Sequence, residues 1–168
     1  LRDIWHKSCT ADSVIKGLAR IKASYWGMVV AHCGVAICII GVGLTSVYSV
    51  QHDVRMEPGD ITTIKGYQFK LVSIEPYEGE NYIADQATIE VMKKTSSAIL
   101  LQPEKRRYFA SGQTMTEASI NSGIFRDIYV ALGEPLKGDA WAIRVYIKPF
   151  VAWIWTGALF IALGALLA

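Results

Sequence analysis

The chain has 168 residues, a formal net charge of +2 and 52% hydrophobic side chains, and its mean hydropathy of +0.28 is high for a soluble domain. So small a charge argues for neither a nucleic-acid partner nor a strongly acidic one. None of its three cysteines stands in a C-x-x-C-H arrangement, so the chain is not itself a c-type cytochrome.

Residues 1–24 carry Arg2, Lys7, Lys16, Arg20 and Lys22 against Asp3 and Asp12. By the positive-inside rule this segment is cytoplasmic. Within it, "ADSVIKGLARIK" places Val14, Leu18 and Ile21 on one helical face, which reads as a short amphipathic helix at the inner membrane surface or as a plain connector.

Residues 25–50 are predicted to be a transmembrane helix, because about 20 apolar residues suffice to cross the ~30 Å hydrocarbon core. Gly27, Ala31, Gly34, Cys38, Gly41 and Thr45 recur at steps of four and three. Such a stripe of small side chains lets helix backbones approach closely, so this helix is expected to pack against others. Cys33 and Cys38 project about 140° apart around the helix, and no disulfide is expected between them.

Residues 51–148 change to a two-residue period and are predicted to form an outer domain. Trp141, Ile143, Val145 and Ile147 alternate with Ala142, Arg144, Tyr146 and Lys148, the pattern of a half-buried strand. Similar runs at 67–74, 82–92, 98–101, 107–110 and 128–132 suggest an antiparallel barrel or sandwich, an OB-like barrel being one option. "TEASINSG" reads as a helical turn or a loop. Residues 149–168 are predicted to be a second transmembrane helix. Phe150, Trp153 and Trp155 form an aromatic belt at its outer end, and Ala158, Ala162 and Ala165 form a weaker small-residue stripe, with Gly157 and Gly164 on a neighbouring track. A start without methionine and a close on "ALGALLA" suggest the C-terminal part of a larger multi-span protein.

His32 is the exceptional residue of the first apolar run. Ionisable groups in a span are costly and usually mark a cofactor, a proton path or a partner. Three readings follow: an interhelical hydrogen bond, a proton relay, or an axial ligand to haem iron, since a neutral imidazole binds iron without bringing net charge into lipid. The relay needs acidic partners that neither apolar run contains. Its position, one residue from Ala31, predicts that it lies along the flank of the packing seam, where a second helix could meet it.

"GMVVAHCGVAICIIGVGLTSVYSVQHDVRMEPGD", "TEASINSGIFRDIYVALGE", "AWAIRVYIKPFVAWIWTG" and the closing "ALGALLA", taken in order, resemble the C-terminal region of the CcmF family, the haem lyase subunit of bacterial cytochrome c maturation. The paralogous family dedicated to nitrite-reductase cytochromes would look much the same. The resemblance implies a multi-pass inner-membrane protein with its central domain in the periplasm. Such a protein takes haem from a haem-carrying chaperone and attaches it to the C-x-x-C-H thiols of apocytochrome c, alongside other maturation subunits and the remaining helices of the full-length protein. It also implies a permanent haem b held by two membrane histidines, and His32 of "MVVAHCGVA" matches one of them. The family's tryptophan-rich haem-handling motif, its outer-face histidines and the second haem b ligand have no match here; His6 and His52 fit none of those places. The segment alone is therefore not expected to be active. The other reading of the chain is a non-catalytic anchored scaffold whose outer domain recruits apocytochrome or chaperone.

In the outer domain Arg106, Arg107, Arg126 and Arg144 are candidates for haem propionates, because a guanidinium fork suits a carboxylate; the alternative is a solvated strand face. Arg126, Asp127 and Glu134 of "RDIYVALGE" fit a salt-bridged turn or a docking surface equally.

Overall fold

The computed structural model describes residues 22–93 and 96–168. The amphipathic segment at 11–22 lies almost wholly outside the described residues, as do His6 and Cys9. Two compact units result. One holds two helices, and the other runs from Thr45 to Phe150.

The helical unit contains α1, Ala23–Tyr48, up to Leu44, and α2, Val151–Leu167. At ~1.5 Å per residue α1 is about 39 Å long and α2 about 26 Å. Among the described residues α1 alone is both long and apolar enough to cross a membrane by itself. The helices run antiparallel with glycine against glycine. Gly27, Gly34 and Gly41 are buried, and a Cβ added at Gly27 or Gly34 would lie 2.6 Å from the Gly164 carbonyl oxygen or 2.7 Å from that of Gly157. Both helices thus repeat glycine every seventh residue, the spacing that keeps one seam in contact as helices wind left-handed around each other. The small-residue reading of α1 holds for its glycines and for Ala31 and Cys38, which meet Gly164 and Gly157. On α2 the seam follows Gly157 and Gly164, whereas Ala158, Ala162 and Ala165 are exposed. The reason is steric: only a residue without a Cβ fits at backbone contact.

The second unit is an antiparallel sandwich, one of the two forms left open by the sequence. Its strands are β1 (Val50–Met56), β2 (Ile61–Ile64), β3 (Tyr67–Glu78), β4 (Tyr82–Lys93), β5 (Ser96–Leu101), β6 (Glu104–Tyr108), β7 (Thr114–Glu117), β8 (Ser119–Asn121), β9 (Arg126–Pro135) and β10 (Trp141–Pro149). One sheet has the order β1-β10-β9-β8; the other runs β2-β3-β4-β6-β7 with β5 also on β4. Alternation decides what faces inward. Ile143, Val145 and Ile147 of β10, Ile128, Val130 and Leu132 of β9, Ile89 and Val91 of β4, and Phe69 and Leu71 of β3 fill the core.

Three local features shape the outline. The β2–β3 hairpin turns on Lys65 and Gly66, whose φ angles of 48° and 78° match a two-residue turn with both central residues left-handed. A register shift between Leu71 and Ser73 leaves Val72 on the outer side, 42% exposed. Finally, "TEASINSG" is neither a helical turn nor a loop. Thr114–Glu117 pairs with β6 in one sheet and Ser119–Asn121 with β9 in the other, so an almost continuous extended segment crosses between the sheets at Ala118. β1 and β10, the first and last strands, are paired from Val50↔Ile147 to Met56↔Trp141.

Candidate functional site

His32 sits on α1 between two seam glycines. At 100° per residue it projects about 140° from Gly27 and about 160° from Gly34, so it lies on the face opposite the one α2 covers. The sequence expectation placed it along the seam's flank; the correction follows from the seam running through 27, 34 and 41 at a seven-residue period. The ring is exposed, and Nδ1 lies 2.8 Å from the Met28 carbonyl oxygen. A carbonyl only accepts, so in this geometry Nδ1 carries the proton and Nε2 holds its lone pair outward. Met28, Val35 and Ile39 share this face and are 45%, 44% and 67% exposed. An outward nitrogen lone pair flanked by apolar side chains suits the flat, mostly apolar body of a haem with its iron on Nε2, so the residues present fit one axial position. No trio of His, Cys, Asp or Glu able to hold a metal ion occurs among the described residues. Exposed His52 lies on β1 opposite Val145.

The arginines of the sandwich are mostly engaged within the protein. Arg144 donates to Asp53 at 2.6 Å, and that contact holds the Asp53 carboxyl below its ordinary range. Arg106 donates to Glu104 at 2.7 Å, lies 3.8 Å from Glu117 and stacks on the Tyr82 ring at 4.4 Å. Arg126 donates to the Tyr67 hydroxyl at 3.1 Å and to the Asn121 backbone oxygen at 3.2 Å. Asp127 is buried and accepts from the Gly123 amide at 3.0 Å. Arg126 and Asp127 therefore brace one turn from two sides, while Glu134 pairs with Lys105 across the two sheets.

Arg107, exposed like Arg144, differs from the other three in lining a groove of about 630 Å³. Here the inward-facing row of β4 continues past the core into Asp85 and Ile83, which pair with Lys105 and Arg107 of β6. Trp141 and Pro135 line the groove from the other sheet. Sequence reading did not find this groove. Its residues come from six strands, and what joins them is register, which no local run of residues reveals.

A β-sandwich whose chain passes directly into apolar helices at both ends, with an imidazole displayed on one of them, is the class of structure these observations define. A family model described as "CcmF C-terminal beta-sandwich" matches residues 47–149, and the chain belongs to the CcmF family. The cytochrome c-type biogenesis protein CcmF of Escherichia coli strain K12 is 49% identical over 86% of this chain and 22% of its own length. A probable cytochrome c-type biogenesis protein NrfE of the same strain is 34% identical over 83% of the chain and 25% of that protein. A solved structure of "Cytochrome c Heme Lyase CcmF" superposes with a TM-score of 0.72 at 15% identity, over 84% of this chain and 24% of that one, a likeness of fold. The chain thus spans about a quarter of the length of the curated relatives it matches.

Proposed function

We propose that the chain is the C-terminal part of a membrane haem lyase component that attaches haem to the C-x-x-C-H thiols of apocytochrome c, with His32 as an axial ligand to a haem b. In this reading residues 1–24 are cytoplasmic, 25–50 and 149–168 cross the bacterial inner membrane, and 51–148 stand in the periplasm. The observation that carries it is the His32 ring, with Nδ1 anchored on Met28 and Nε2 outward on an apolar face. The haem, when bound, supplies one-electron reduction of the incoming haem iron. The chain's own part is to fix the imidazole: the backbone acceptor sets its tautomer and rotation, as the second partner of a ligating histidine generally does. The rest of the full-length protein contributes the second ligand and the outer-face haem-handling residues. Haem chaperone, apocytochrome c and other maturation subunits are the partners.

The test is an optical spectrum of the full-length protein, oxidised and dithionite-reduced, with His32 intact and as His32→Gln. Glutamine keeps hydrogen bonding and is a poor iron ligand. A haem b signal lost or shifted in the variant, with insertion in the membrane unchanged, is the expected result; identical spectra would overturn the assignment. The groove at Arg107 and Trp141 favours the scaffold reading as second, in which the sandwich recruits apocytochrome or chaperone and the wild type shows no haem b.

A further inference from the structure

We infer that the β8–β9 loop is a membrane-contacting wedge that seats Ile124 and Phe125 at the boundary between lipid headgroups and acyl chains. This rests on the proposal that α1 spans a bilayer. A connecting loop is ordinarily polar because its backbone faces water, yet here two adjacent large apolar residues, Ile124 and Phe125, are 70% and 63% exposed. They are also held rather than dangling. The Phe125 carbonyl accepts from the Phe150 amide at 3.1 Å, and the two rings meet edge to face with centroids 6.2 Å apart. Phe150 has φ 59°, a left-handed backbone that a bulky residue adopts only when its surroundings impose it. Asp127 clamps the loop from behind through the Gly123 amide.

The position of the loop selects lipid as the occupant. Phe150 is the residue immediately before α2, and Thr45, in the last turns of α1, donates to the Pro149 carbonyl at 2.7 Å. The loop therefore lies at the end of the sandwich where the chain passes to and from its apolar helices. Val47 and Tyr48 at the close of α1 are 73% and 56% exposed at the same end. Basic side chains accompany them. Lys65 reaches the Tyr48 carbonyl at 3.4 Å, Arg126 and Lys93 lie over the Tyr67 ring at 5.2 Å, and Lys148 stands beside Tyr129 and Tyr146. Exposed apolar and aromatic side chains among lysine and arginine make up the composition that sits at a membrane interface, where rings enter the acyl boundary and cations meet headgroup phosphates.

The experiment places the photo-crosslinker p-benzoylphenylalanine, one site at a time, at Ile124, at Leu159 on the face of α2 turned away from the glycine seam, and at Leu136 in the β9–β10 loop, in the full-length protein in its native membrane. Irradiation followed by mass spectrometry reads the adduct. Phospholipid adducts at 124 and 159, several-fold above those at 136, are expected. Leu159 is 59% exposed and lies off the His32 face. Leu136 is itself 42% exposed and apolar, so it controls for exposure alone. Lipid at 159 with a peptide adduct at 124, whether to the same chain, a second copy or another protein, would overturn the wedge and leave the helix pair in the bilayer, as would no adduct at 124. Lack of lipid at 159 would instead overturn the placing of the helix pair in the bilayer, on which the wedge depends.

Discussion

The helix pair and the sandwich solve opposite problems. In the sandwich, side chains fill the interior and backbones stay apart, so Phe69, Leu71, Ile128 and Val145 are buried almost completely. In the helix pair the buried residues are glycines, and backbone touches backbone. Charges differ as well: Arg106, Arg126 and Arg144 find partners within the sandwich, whereas His32 turns its free nitrogen away from the neighbouring helix. The hydrogen bond His32 does make stays within its own helix, on the Met28 carbonyl.

The sharpest way to break this contrast is to remove volume from the sandwich and add it to the seam. Phe69→Ala is expected to cost about 3–5 kcal/mol in denaturant unfolding of the sandwich, as a buried ring leaves a cavity. Gly34→Val puts a side chain where a Cβ already lies 2.7 Å from the Gly157 oxygen, and because that atom is backbone the expected loss is about 2–3 kcal/mol. It should show as a lower yield of protease-resistant helix pair with the unfolding midpoint of the sandwich unchanged. Gly43→Ala, with open space at its Cβ, should do nothing by the same assay. Asp127→Ala strips the Gly123 amide of its acceptor and is expected to lower sandwich stability by about 1–2 kcal/mol.

A slight effect is expected at the exposed pair Asp53–Arg144. Because Arg144 lowers the Asp53 pKa in the folded state, the pair's stabilisation is full above the ordinary carboxylate value of about 3.9. It disappears as pH falls through the lower folded value. Wild type and Asp53→Asn should accordingly differ slightly in urea midpoint near neutrality and converge in strong acid.

Where residues alternate strongly, the sequence could be read. Ile143, Val145 and Ile147 point inward as their spacing requires, and β3, β4, β5 and β9 lie where their runs place them, while β6, Glu104–Tyr108, begins three residues before its run and ends two short of it. β1, β2, β7 and β8 escaped notice because they are short or polar; "VQHDVRM" and "TMTE" owe their strand state to their partners' ladders. β3 extends beyond Ile74 through Pro76 because β2 pairs only with its first four residues, leaving the proline's missing N–H on an unpaired side. His32 was legible as an exception, and its place opposite the seam was not, since that depended on which face α2 takes. Arg107 and Trp141 stand far apart in sequence, and only the pairing of strands brings them to one groove.

The pairing of β1 with β10 carries a consequence for biosynthesis. Roughly 100 residues separate these partners, and at ~5–20 residues per second the ribosome needs about 5–20 s to deliver the second after the first. Through that interval β1 waits with its hydrogen-bonding edge open, and the sheet closes only when Pro149 has emerged. The next residues are the start of α2. Completion of the sandwich and delivery of α2 are therefore nearly simultaneous, and a chain stalled before residue 141 would leave β1 without the partner to which it is bonded along its whole length.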